Sequence, residues 1–431
     1  MPIRLDSKAK DFAAKFDAFL ATKRESAEDV ETAVRSIVAD VAARGDRALV
    51  ELTRRLDKAD LDKLGIRVDE KEIDAALGTI KKETRAALEL AKARIEAHHK
   101  RQLPKDERYT DPLGVELGSR WTPIEAVGLY VPGGKAAYPS SLLMNAVPAK
   151  VAGVTRLAMT VPAPEGKLDP LVLAAAKLAG VTEIYRVGGA QAIAALAYGT
   201  ATIKAVAKIV GPGNAYVAAA KRLVFGRVGI DLIAGPSEVL VLADKDANPD
   251  WIAADLLAQA EHDEAAQPIL VTDDAKLADA VEQAVAAQLK TLPRAKIAGA
   301  SWRDFGAIIL VGKLDDAISL VDSIAAEHVE IHAADAERLA ARIKNAGAIF
   351  IGVYTPEAIG DYVGGSNHVL PTARSARFAS GLGVLDFMKR TSLLKCGPEQ
   401  LRALGPAAIA LGEAEGLDAH ARSVAIRLNR D

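Results

Sequence analysis

A single cysteine, Cys396, occurs in 431 residues, so no intrachain disulfide can form and a reducing compartment, the cytoplasm, is expected. Aromatic residues make up only 4% of the chain, which predicts a core of small aliphatic side chains. No apolar run approaches the ~18 residues that span a bilayer, and the opening "MPIRLDSKAKDF" lacks the apolar stretch of a secretory signal. Charge of one sign is lacking too. With a formal net charge of −2 and no long acidic or basic run, neither nucleic acid nor a membrane surface is the expected partner. The G-x-G-x-x-G fingerprint and the P-loop pattern are both missing. What is present is an ordinary globular composition, 50% hydrophobic and 26% charged, at a length suited to about two to four domains.

Residues 1–109 read as a helical arm. "DVETAVRSIVADVAARGDRALVELTRRLD" and "KEIDAALGTIKKETRAALELAKARIEAHHKRQL" carry apolar residues at helical spacing, the first broken at Gly45. From about 110 short apolar strands alternate with helices. "AKVAGVTRLAMTV" at 149 and "AKLAGVTEIYRVG" at 176 echo each other, each a helix end, a glycine cap able to take positive φ, and a β-branched strand. Such units build a parallel sheet with helices on its faces. "SEVLVLAD", "QPILVTDD", "GAIILVG" and "GAIFIGV" extend the pattern, giving two α/β units over 110–245 and 246–375. The segment 376–431, which contains the Pro/Gly-rich break "CGPEQLRALGP", reads as a C-terminal helical segment; it is too short to hold a core alone and is expected to pack elsewhere, with a second subunit one candidate.

Four Gly-rich turns follow strands, at 128–141, 187–196, 209–221 and 233–239. Each alone reads as a tight turn, but four at comparable positions point to a nucleotide or phosphate cleft. In "DLLAQAEHDE", Gln259 and His262 sit three apart and share a side of any helix built there. In "AEHVEIH", strand alternation puts His328, Glu330 and His332 on one face, which alone reads as a half-exposed edge strand; the adjacent Glu327 and His328 offer two proton carriers. The stretch 357–392, with Asp361 and His368, reads as a surface loop, and Glu415 and His420 start an amphipathic helix. Zinc favours imidazole with carboxylate, which His262, His420 and Asp361 could supply, with Gln259 an uncommon oxygen donor. Residue chemistry alone goes no further than an α/β enzyme with a nucleotide-type cleft.

The motifs "VGLYVPGG", "VGGAQAIAALAYGT", "GPGN", "AGPSE", "QAEHD", "AEHVEI", "SNHVLPT" and "SGLGVLDF" occur in the order and spacing of histidinol dehydrogenases, and the chain resembles that family from about residue 20 to 428. One departure is Gly383 of "SGLGVLDF", where the family more often has serine. The resemblance implies two incomplete Rossmann-like domains with parallel sheets and a domain-swapped homodimer. It also implies zinc- and NAD⁺-dependent oxidation of L-histidinol through the aldehyde to L-histidine. Carried over, Gln259, His262, Asp361 and His420 are the expected zinc ligands, the last from the partner subunit. His328 is the expected base of the hydride-transfer steps and Glu327 the group that activates water. Those residues apart from Glu327, with Ser237, His368 and Glu415, are expected to hold substrate, and Tyr130, Gln191 and Asn214 to hold NAD. Cys396 lies outside every matched motif and is expected to be structural. Two rivals stay open: a zinc hydrolase with Glu327 as base, and a non-catalytic metal- or nucleotide-binding protein.

Overall fold

The computed structural model describes residues 1–22, 28–133, 137–233 and 235–429. The turns at 128–141 and 233–239 therefore lie partly outside the described residues, at Gly134, Lys135 and Ala136 and at Ala234. The first strands are β1 (Ile3–Asp6), β2 (Glu107–Thr110), β3 (Glu116–Pro123), β4 (Ala126–Tyr130) and β5 (Arg156–Thr160). Next come β6 (Glu183–Tyr185), β7 (Lys208–Val210), β8 (Gly229–Ile230), β9 (Glu238–Ala243) and β10 (Gln267–Thr272). The last are β11 (Ala307–Leu310), β12 (His328–His332), β13 (Ala348–Ile351) and β14 (Met388–Lys395).

Two parallel sheets carry the chain, as the alternation of strands and helices predicts. The first has the order β6-β5-β4-β7-β8 and the second β1-β11-β10-β9-β12-β13. Between β6 and β7 the first sheet's order reverses, so β4 and β7 flank a crevice at their C-terminal ends, the usual ligand site of an open α/β sheet. The echoed units hold: Gly153 and Gly180 end their helices at φ +92° and +70° and lead into β5 and β6. Among the described residues, a small antiparallel sheet, β14-β3-β2, completes the strands.

Three expected boundaries are corrected. β9, placed in the unit 110–245, pairs with β10 and β12 in the middle of the second sheet and is buried along its whole length, so the first sheet ends at β8. The arm 1–109 is not purely helical, because β1 is the edge strand beside β11, with Leu5 in the second sheet's core. Nor does the arm stand apart: Val34, Val38, Leu49 and Leu52 bury against the first sheet's helices, and Phe16 and Phe19 against the second sheet. The segment 376–431 begins with 3-10 turns and with β14, which pairs with β3 before the helices Pro398–Ala414 and Asp418–Ala425.

Candidate active site

The first sheet's crevice is built by sterics. Gly211, just after β7, has φ +116°, and a Cβ there would lie 2.1 Å from the carbonyl oxygen of Tyr130 at the end of β4. Only glycine lets these two strand ends approach so closely. Asp231 accepts a hydrogen bond from the Gly211 N–H (2.7 Å) and pairs with the buried Lys221, which also donates to the Gly211 carbonyl. The "GPGN" turn is thus held from below. Asn214 caps the helix Ala215–Val224, its carbonyl oxygen accepting from the N–H groups of Tyr216 and Val217, so its exposed amide N–H₂ is turned away from that cap. The Gly189 N–H donates to the Tyr130 hydroxyl (3.1 Å), and Gln191, two residues on, is buried with its Oε1 unpartnered. Tyr130, Gln191 and Asn214 therefore belong to the same crevice, beside two helix N-termini that favour an anion.

The second group gathers at the N-terminal ends of β9 and β12. The edge-strand reading of "HVEIH" is corrected: β12 lies between β9 and β13 and every residue in it is buried. The alternation itself is as expected, with Val329 and Ile331 in the core on one side and the polar residues on the other. The His328 Nδ1–H donates to the Glu238 carbonyl (3.1 Å), which leaves Nε2 without a hydrogen bond and 3.6 Å from Asp361 Oδ1. Burial alone would lower the pKa of His328, but the carboxylates of Glu357, Glu327 and Asp361 outweigh it and hold it well above the usual value. Glu327 is pushed up to about 7 by burial, its Oε2 accepting from the Glu238 N–H (3.2 Å) and lying 3.8 Å from His328 Nδ1. Ser237 precedes β9, one residue from that contact, and its carbonyl accepts from the Gln267 N–H.

The helix Pro249–Ala260 runs back towards this end, capped at its start by Asn248 and with Pro249 in its first turn. At its finish Gln259, fully buried, puts Nε2 3.1 Å from Nδ1 of His262, while Gln259 Oε1 has no partner. His262 is exposed at the residue level, yet the protein around its ring lowers its pKa by desolvation, with Asp361 pulling the other way. Asp361 lies on the short helix Glu357–Tyr362, and the imidazoles of His328, His368 and His262 overcome its burial to hold its carboxyl below the ordinary value. His368 Nδ1 donates to the Asp361 carbonyl (2.9 Å); burial lowers its pKa. Its neighbour Asn367 donates to the Met144 carbonyl, tying the loop to the helix that leads away from β4. The stretch expected to be a surface loop is therefore half buried, and Asp361 is held on a helix.

Gln259, His262, Asp361, Glu327, His328 and His368 are thus brought together within one chain. Glu415 and His420 are not. Both are exposed, His420 on the helix Asp418–Ala425, which packs on Pro398–Ala414. Two buried carboxylates escaped the sequence reading. Glu357 Oε2 stands 3.7 Å from His328 Nδ1, and its place four residues before Asp361 on one helix was the available signal. Glu330, seen only as a strand residue, accepts from the Glu357 N–H (2.6 Å).

Comparison with known proteins gives this site its setting. The family model described as histidinol dehydrogenase matches residues 20–428. The chain belongs to the histidinol dehydrogenase family. It is 73% identical over 430 residues to the histidinol dehydrogenase of Rhodopseudomonas palustris and 72% identical over 429 residues to that of Bradyrhizobium diazoefficiens, in both cases across the full length of both chains. Among solved structures, the histidinol dehydrogenase of Elizabethkingia anophelis superposes with a TM-score of 0.94 at 36% identity, covering 99% of this chain and 98% of that one. As a family member the chain is an NAD-dependent dehydrogenase of histidine biosynthesis, and its parallel sheets are those of that fold. Among the described residues, no helix is long and apolar enough to cross a membrane.

Proposed function

We propose that the chain oxidises L-histidinol to L-histidine in two NAD⁺-dependent steps, through the aldehyde, at a zinc-holding site completed by a second copy of itself. The observation that carries this reading is the convergence of Gln259, His262 and Asp361 beside a buried histidine whose Nε2 is open. The donor set suits zinc. A buried amide oxygen without a partner, a carboxyl held ionised and an imidazole held neutral are each in the form that metal binding requires. The fourth expected ligand is His420 of the partner subunit. Zinc, when bound, supplies an anchor for the substrate's imidazole and amine nitrogens.

The chain's own residues account for the rest. With Nδ1 committed to the Glu238 carbonyl, His328 in its neutral form presents Nε2 as the atom that takes the hydroxyl proton at each oxidation, and the carboxylates around it make it a stronger base. Glu327, near neutrality in pKa, takes a proton from the water that hydrates the aldehyde, so the second hydride leaves a gem-diol. His368, Ser237 and Glu415 of the partner subunit bound the substrate's polar end, and Tyr130, Gln191 and Asn214 bind NAD⁺ at the crevice of the first sheet. A dimer fits the uncovered apolar surface of the last segment: Leu394, Leu411, Leu417 and Ile426 are exposed, and beyond Met388 no described residue joins the hydrophobic clusters of the two parallel sheets.

Counting NADH per L-histidinol consumed tests the function. Two equivalents are expected. One equivalent would mean that turnover stops at the aldehyde, and none, with hydrolysis or with binding alone, would return the rival readings.

A further inference from the structure

Behind the catalytic histidine lies a second convergence of metal-ligand types that the dehydrogenase reaction does not use. Glu330 and His332 point to the same face of β12, and Asp255 comes down from the helix Pro249–Ala260, one turn before Gln259. His332 Nε2 stands 3.4 Å from Glu330 Oε2 and 3.6 Å from Asp255 Oδ2. Glu330 and His332 are 0% and 1% exposed, yet Glu330 Oε2 and both ring nitrogens of His332 have no hydrogen-bond partner. Such orphaned groups are costly in a protein interior. Among the described residues no lysine or arginine pairs with either carboxylate.

The geometry points to a second divalent-cation site, of the zinc class, formed by Asp255, Glu330 and His332. Zinc bonds of about 2.0–2.1 Å to nitrogen and oxygen at tetrahedral angles place ligand atoms about 3.3–3.4 Å apart, close to the two measured separations. Two carboxylates balance the charge of a 2+ ion, and the imidazole adds a nitrogen donor. The other oxygen of Glu330 is already fixed by the Glu357 N–H, the kind of outer contact that orients a ligating carboxylate. Asp255, with 14% of its side chain exposed, is the open side, where a water could complete the shell. The ion would tie helix to strand directly behind His328. The site shares no ligand with the group at Gln259, His262 and Asp361, so it stands or falls separately from the proposed function.

Zinc titration of chelator-stripped full-length protein tests it, read as equivalents bound per chain. Wild type is expected to bind two, with Glu330→Gln and His332→Asn each binding one fewer. His262→Ala also loses one, from the other site. A wild type that binds one equivalent, lost in Glu330→Gln but kept in His262→Ala, would uphold this site and sink the proposed active-site ligands. A Glu330→Gln or His332→Asn variant that melts like stripped wild type and binds as much zinc as wild type would overturn it. If both variants prove too unstable to purify, Asp255→Asn takes their place: one equivalent fewer than wild type supports the site, and an unchanged count overturns it.

Discussion

At the scale of single residues, two neighbours in the chain have both had their proton affinity raised, for different reasons. Three carboxylates outweigh burial at His328 and make it a stronger base, while burial lifts Glu327 to about 7. Only ionised Glu327 can accept a proton from water. Because burial has moved it up to about 7, the rate of aldehyde oxidation should rise as pH passes upward through about 7. In Glu327→Gln that step should fall about 10²–10⁴-fold and lose the rise, while alcohol oxidation is spared; following NADH separately from the alcohol and from the aldehyde checks both. How much of this was legible varies by residue. The adjacency of Glu327 and His328 was plain in the sequence, as was the Gln259–His262 spacing. Which ring nitrogen of His328 is left open was not, because it is decided by the Glu238 carbonyl on another strand. Glu357 was hidden for the same reason: its meaning lies in a distance to His328, not in its own neighbours.

At the scale of elements, the helices and most strands could be read from periodicity, and the echoed glycines marked two βα units correctly. What could not be read was strand partnership. β9 looks no different from a strand of the first sheet, and "HVEIH" has the alternation of an edge strand; both were misplaced because register and neighbours are set by long-range packing. β1 was missed altogether, four residues whose burial pattern shows one inward side chain, Leu5. That residue yields a test of the element. Leu5→Ala removes a side chain buried among the second sheet's core residues and should cost about 2–4 kcal/mol of stability, measured by urea unfolding, while leaving the first sheet's core untouched.

At the scale of the whole molecule, one chain gathers the cluster around His328 and leaves two of the expected site residues apart from it. His420 and Glu415 stand exposed on the last helical pair, away from the cluster they are proposed to complete. If sites are shared, subunits bearing His420→Ala and subunits bearing Glu327→Gln, each defective alone, should complement when mixed. Random exchange gives half heterodimers with one intact site in two, so recovery should approach about one quarter of wild-type turnover. An exchange shown by mass spectrometry to be complete, with no recovery of activity, would remove the shared site. The expectation of sharing rests on the family resemblance alone, because every motif looks equally intramolecular when written on one line.

The pairing of Ile3 with Ala307 carries a consequence for synthesis. β1 has no strand partner until β11 has been translated, so a nascent chain must carry an unpaired edge while the residues between the two are made. The second sheet can close only late, and a change in β1 would be felt there, beside β11, rather than in the helical arm.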